Sequence, residues 1–162
     1  MRLFLAAGLA AVLAACGPAG TTPTSAAGAK AADAAAWAKY VPWNSDLPEV
    51  VKTGSGLEYI VLASGPADGV SPKASEQAEV FYEGRLDAGG SAFDSAFERN
   101  ESATFPVNAV VDGFSEMLRL MKPGDRWIGY LPYQLAYGAS GKPPIPRAAD
   151  LVFEVELVSV KP

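Results

Sequence analysis

The chain has 162 residues, enough for one ordinary domain and a tail, and its 49% hydrophobic and 19% charged content is that of a packed globular protein. The net charge of −5, with no cluster of Lys or Arg, weighs against nucleic-acid binding, which needs a basic surface. There is no histidine, so Ser-His-Asp triads, Cys-His pairs and imidazole metal ligands are excluded, and no metal or other cofactor is expected.

Residues 1–15 are expected to form a signal peptide. Arg2 supplies a positive n-region, and the apolar run that follows is too short to span a bilayer. The run ends Leu13-Ala14-Ala15-Cys16-Gly17, and Cys16 is the one cysteine of the chain. This ending resembles the lipobox of bacterial lipoproteins. That resemblance implies cleavage before Cys16, lipidation of its sulfur, and a protein anchored in the bacterial cell envelope, at the outer membrane and facing the periplasm. Two or three acyl chains hold a protein stably on a membrane, whereas one does so only marginally. An ordinary secretory signal with an incidental cysteine is the plainer alternative.

Residues 16–55 read as a lipidated N-terminus, a tether rich in Ala, Gly, Pro and Thr, and a short N-terminal extension. Alanine dominates residues 27–40, which favours helix there. Trp37, Tyr40 and Trp43 follow as a cluster expected to pack against the edge of a domain at residues 56–162. In that domain, residues 57–63 and 77–86 alternate like strands, and residues 91–107 are less regular, with Phe93 and Phe105 as apolar anchors. The spacing of Phe114, Met117, Leu118 and Met121 predicts a helix over 111–121, ended by Lys122-Pro123-Gly124. Residues 126–131 and 150–160 read as further strands, joined by a Gly/Pro-rich loop over 132–147. One short helix against an antiparallel sheet is an α+β architecture.

Taken singly, the aromatic residues would mostly be core. Five separated blocks together say more. They are Val80-Phe81-Tyr82-Glu83-Gly84, then Phe93-Asp94-Ser95, then Val110-Val111-Asp112-Gly113-Phe114. Leu135-Ala136-Tyr137-Gly138 follows, with Gly141, Pro143 and Ile145, and the set closes on Leu151-Val152-Phe153-Glu154-Val155-Glu156-Leu157. In this order and spacing the chain resembles the FKBP-type peptidyl-prolyl cis-trans isomerases from about Gly56 to Val160.

The resemblance implies an antiparallel β half-barrel wrapped around one short α-helix, with a shallow apolar cleft between them. By the same resemblance Tyr82, Phe93, Phe114 and Phe153 wall the proline site, and Val110 and Val111 form its floor. The Val111 N–H and the Tyr137 hydroxyl donate to carbonyls, Asp94 anchors polar groups, and Ile145 is an apolar contact from the long loop. Tyr82, Asp94 and Tyr137 are the candidate catalytic residues. The implied activity is rotamase activity on proline-containing unfolded or partly folded envelope proteins, in a monomer that macrolide inhibitors could also occupy. A weakly catalytic or non-catalytic chaperone using the same cleft is the alternative. Three departures from the family pattern bear on the pocket: Phe114 in place of a frequent tryptophan, Ala103 in place of a pocket-edge phenylalanine, and Lys142 in place of a frequent histidine.

Other features have plain readings. Asp94 is open to a second role as a turn cap, and Tyr137 to one as a structural loop tyrosine. The stretch Gly138-Ala139-Ser140-Gly141-Lys142 lacks the Gly-Lys-Ser/Thr ending of a phosphate loop and runs into Pro143-Pro144, so nucleotide binding is rejected. Glu154 and Glu156 alternate on one strand and are expected on a solvated face. Asn100-Glu101-Ser102 matches a glycosylation sequon, which carries little meaning in a bacterial lipoprotein.

Overall fold

The computed structural model describes residues 34–162, so the signal peptide, Cys16 and most of the tether lie outside the described residues. A single turn of helix, α1 (Ala34–Trp37), is followed by two short strands, β1 (Val51–Lys52) and β2 (Glu58–Ala63). The long β3 (Gln77–Leu86) leads into β4 (Ala92–Ser95), the four-residue α2 (Ala96–Arg99) and β5 (Ala103–Pro106). The main helix α3 (Asp112–Leu120), β6 (Arg126–Leu131) and β7 (Leu151–Lys161) complete the fold. All pairings are antiparallel and the sheet order is β1-β2-β6-β7-β3-β4, with β5 also on β3. This is the α+β FKBP-like arrangement that the resemblance implied.

The helix predicted over 111–121 and the predicted strands fall within a residue of their observed ends, whereas the helix favoured over 27–40 is, among the described residues, the single turn Ala34–Trp37. Residues 91–107 do not stay irregular. They fold as β4, α2 and β5, which cover one edge of β3 in succession while β7 covers the other. Local pattern could not show this, because four-residue strands are stabilised by the partner they find.

Helix α3 buries Phe114, Met117 and Leu118 on one face against the sheet, and Met121 just beyond its end is also buried. The turn after it is fixed by the buried Asp125, whose carboxylate accepts from the N–H groups of Lys122 (3.0 Å) and Gly65 (2.7 Å). A second apolar cluster lies on the opposite, outer face of the sheet. There Trp37, Ile60, Ile128 and Val152 are buried, with Tyr40, Val41, Trp43, Leu47 and Val50 packed around them. Trp43 ties this extension down: its backbone N–H donates to Asp87 (2.6 Å), its Nε1–H to Glu58 (2.7 Å), and its ring stacks on Tyr130.

One expectation is overturned here. Glu154 and Glu156 do not face solvent; they are 0% and 7% exposed. The alternation of β7 is intact, but its outer face is covered. Phe97 of α2 stacks on Phe81, the Arg126 guanidinium lies 5.4 Å from the Phe97 ring, and Arg126 Nε donates to Glu154 at 2.6 Å. A buried charge is tolerated when it is paired, and Arg126 supplies that partner.

Candidate functional site

Between α3, β3, β4, β5 and the long loop lies a cleft of about 330 Å³. Tyr82, Phe93, Asp94, Phe105, Val110, Val111, Phe114, Tyr137 and Phe153 line it, joined by Ala109 and Lys142. The rings meet edge to face: Tyr82 with Phe105 and Phe114, Phe114 with Phe153, and Phe153 with Phe93, at centroid distances of 5.2–6.1 Å. Aromatic pairs prefer this geometry over face-to-face stacking, because the positive ring edge meets the negative face.

Each wall is placed by an identifiable element. Tyr82 projects from β3 and Phe153 from β7, and between their strands Gly84 pairs with Phe153. A Cβ on Gly84 would stand 2.4 Å from Phe93 and 2.7 Å from Phe153, so this strand position must lack a side chain for the two rings to close over it. Phe114 lies in the first turn of α3. The long loop is rooted by Asp150, which accepts from the Tyr130 hydroxyl and the Tyr133 N–H, both at 2.8 Å, and this fixes the frame from which Tyr137 reaches the cleft.

The polar groups form a small network on one side. The Tyr82 hydroxyl donates to one oxygen of Asp94, and Arg99 Nη1 donates to the other at 2.6 Å. Burial alone would raise the Asp94 pKa, but the Tyr82 hydroxyl and the Arg99 guanidinium outweigh it and hold the carboxyl below its usual range. Burial, then the hydrogen bond to Asp94, pushes the Tyr82 phenol up to about 12. The Tyr137 phenol is raised too, by burial and then by the charge of Asp94. Both phenols therefore stay protonated at neutral pH and remain donors. The Tyr137 hydroxyl and the Val111 N–H have no hydrogen-bond partner among the described residues, and the latter is one of the orphan donors at the start of α3.

Arg99 is set by a second layer. Ser95 caps α2 by accepting from the Glu98 N–H at 3.1 Å, and its hydroxyl donates to the buried Glu83 at 3.0 Å. Glu83 is also held by Arg85, at 2.6 Å.

The structure brings together Tyr82, Phe93, Asp94, Val110, Val111, Phe114, Tyr137 and Phe153. Ile145 is different: it is 6% exposed and belongs to the main core cluster, and it is not among the lining residues. The tight turn closed by paired hydrogen bonds between Lys142 and Ile145 accompanies this placement, and burying an aliphatic side chain in the core removes apolar area from water. Ala103, which stands in place of a pocket-edge phenylalanine, is not among the lining residues either. Ala103 pairs with Val80 away from the lining, and Phe105, two residues along the same face of β5, supplies a ring there. Phe105, Gly84 and Arg99 are the contributors that sequence reasoning missed. A glycine inside a strand was the available signal for the second; the other two depend on the pairing of β5 and the capping of α2. Among the described residues, no group of three His, Cys, Asp or Glu side chains could hold a metal ion.

Comparison with known proteins gives the arrangement its place. The FKBP-type peptidyl-prolyl cis-trans isomerase family matches residues 69–158. The chain is 45% identical over 120 residues to peptidyl-prolyl cis-trans isomerase Mip of Coxiella burnetii, covering 73% of this chain and 50% of that protein. It is 38% identical over 119 residues to outer membrane protein MIP of Legionella longbeachae, covering 73% of this chain and 50% of that one. The crystal structure of FkpA from Escherichia coli superposes with a TM-score of 0.68 at 37% identity, over 73% of this chain and 54% of that one. The chain thus spans about half the length of the curated relatives it matches. The chain belongs to the FKBP-type peptidyl-prolyl cis-trans isomerases.

Proposed function

We propose that this protein catalyses cis/trans isomerisation of X-Pro bonds in exported proteins, and that it works in the cell envelope, anchored through Cys16. The observation that carries the reading is the edge-to-face aromatic cleft with unpaired donors at its margin and no Ser, Thr, Cys or His among its lining residues.

Such a site suits a reaction in which no bond to carbon is made or broken. Rotation about a peptide C–N bond meets a barrier of roughly 18–20 kcal/mol because amide resonance is lost. Uncatalysed X-Pro isomerisation takes on the order of 10–100 s. In the twisted transition state the carbonyl is less polar than in the planar amide, so a dry aromatic cleft disfavours the ground state more. Tyr82, Phe93, Phe105, Phe114 and Phe153 hold the proline ring over the floor of Val110 and Val111. The Val111 N–H and the Tyr137 hydroxyl hold the flanking carbonyls, and Asp94 orients Tyr82 and the polar margin. Only interactions stronger in the twisted form lower the barrier, and about 1.4 kcal/mol of such preference is worth tenfold in rate. Ile145 backs the site from the core.

In this reading residues 1–15 are the signal peptide, 16–55 the lipidated tether and extension, and 56–162 the catalytic domain of a monomer. The envelope name of the Legionella longbeachae relative supports the placement. Mass spectrometry of the envelope fraction should find acyl chains on Cys16, and Cys16→Ala should release the protein from membranes. Catalysis is tested by protease-coupled or NMR exchange measurements on an X-Pro peptide with the purified full-length protein. Acceleration is expected, reduced by Asp94→Ala and Tyr137→Phe. If nothing is accelerated and neither substitution matters, the isomerase reading falls. Suppression of aggregation that survives both substitutions would then mark a chaperone.

A further inference from the structure

The one lining charge without an ion-pair partner among the described residues is opposite in sign to the net charge of the protein. Among the lining residues only Asp94 and Lys142 are charged. Asp94 is committed: Tyr82 donates to one oxygen and Arg99 pairs with the other at 2.6 Å. Lys142 is not, since no carboxylate lies within ion-pair distance of its ammonium among the described residues. Its position is nevertheless defined. The Lys142 and Ile145 backbones exchange hydrogen bonds at 3.1 and 2.6 Å, and the ammonium lies 5.8 Å from the Tyr137 ring centroid. Gly141 before it has φ +68°, and a Cβ there would meet the Pro146 carbonyl oxygen at 2.4 Å, so the turn that presents Lys142 depends on glycine.

From this placement we infer that Lys142 is a specificity-determining residue that favours X-Pro segments carrying an acidic side chain next to the proline. The inference rests on the isomerase reading above. Peptide bound against Tyr137 passes beside the Lys142 ammonium, so an adjacent Asp or Glu gains a partner that Gln or Leu does not. Arg99 lies outside the lining, and its charge is balanced by that of Asp94. The protein's overall charge of −5 repels acidic peptides at long range, but beyond about 10 Å that field is screened at 0.1 M salt, and the local cation then decides.

The test compares matched peptides with Glu or Gln on either side of one proline, together with a Leu-Pro peptide, using the full-length protein at 0.1 M salt. For the better of the two positions, kcat/KM for Glu over Gln should be about two- to fivefold, the range of an exposed ion pair. The ratio should fall to about one in Lys142→Met and invert in Lys142→Glu, and it should shrink in wild type at about 1 M salt, where the screening length is roughly 3 Å. A ratio of one in wild type, or a ratio that Lys142→Met leaves intact, overturns the inference while Leu-Pro turnover keeps the isomerase reading standing. If no peptide is turned over, the isomerase reading fails instead. The charge preference is then judged by chemical-shift titration with the same Glu and Gln peptides, where equal affinities would overturn it.

Discussion

The two faces of the sheet use the same kinds of residue to opposite ends. On the inner face Tyr82, Phe93, Phe105, Phe114 and Phe153 meet edge to face and leave a cleft between them. On the outer face Trp37 and Phe97 are buried beneath cations, with the guanidinium of Arg85 4.7 Å from the Trp37 ring and that of Arg126 5.4 Å from Phe97. The carboxylates divide in the same way. Asp94 in the cleft is held below its usual pKa by donated hydrogen bonds and a cation. Glu156 on the outer face is raised, first by burial and also by the charge of Glu154, against the pull of Arg126. One strand therefore carries recognition on one side and stability on the other, with neighbouring residues belonging to different tasks.

That division can be broken most sharply at Glu154, whose carboxylate is fully buried against Arg126. Glu154→Ala should lower unfolding free energy by about 1.5–3 kcal/mol by removing the charge-assisted hydrogen bonds that Arg126 donates to it. Urea titration reads this loss. The kcat/KM of the still-folded protein should stay as it was, although Phe153, its neighbour, is a wall of the cleft.

Gly84→Ala tests the join between the faces, since its Cβ would strike Phe93 and Phe153. Overpacking of this kind costs about 1–3 kcal/mol. Here kcat/KM should fall on the order of tenfold as well, because the walls are displaced. A variant that lost stability alone would show that the spacing of the two rings does not matter to turnover.

Tyr82→Phe sharpens the comparison from the other side. It keeps the ring and removes the hydroxyl that Asp94 accepts from. A hydrogen bond to a charged group is worth about 1.5–3 kcal/mol, but Asp94 is partly exposed and water can replace the lost donor. We expect a fall of about tenfold in kcat/KM with little change in the urea midpoint.

The smallest effect is in the pH dependence. Glu156 has a folded-state pKa above its unfolded value, so the folded protein takes up this proton first. Its ionised form disfavours folding at neutral pH, and that penalty fades as pH falls towards the raised pKa. Glu156→Gln should therefore raise the unfolding midpoint at pH 7 and gain progressively less on acidification. Glu79, held at about 2 by Lys161, Ser102 and Ser159, has the opposite sign: its stabilisation is present above the ordinary carboxylate pKa and is lost as pH falls towards 2. Glu79→Gln should thus lower the midpoint at pH 7 and converge with wild type in acid.

The amino-acid sequence by itself determined the helix α3, the long strands and the identity of most cleft residues. Those features depend on local periodicity and on five blocks whose order does not change on folding. What it could not decide was which surfaces would be covered. Glu154 and Glu156 alternate as a solvated strand face should, and only the arrival of Phe97 and Arg126 from elsewhere in the chain buries them. Phe105 reads as a loop anchor until β5 pairs with β3, and Ile145 as a cleft contact until its turn is seen beside the core. Periodicity shows which way a side chain points from its own strand. What it meets there depends on long-range packing, which fixes both the burial of a charge and the wall of a cleft.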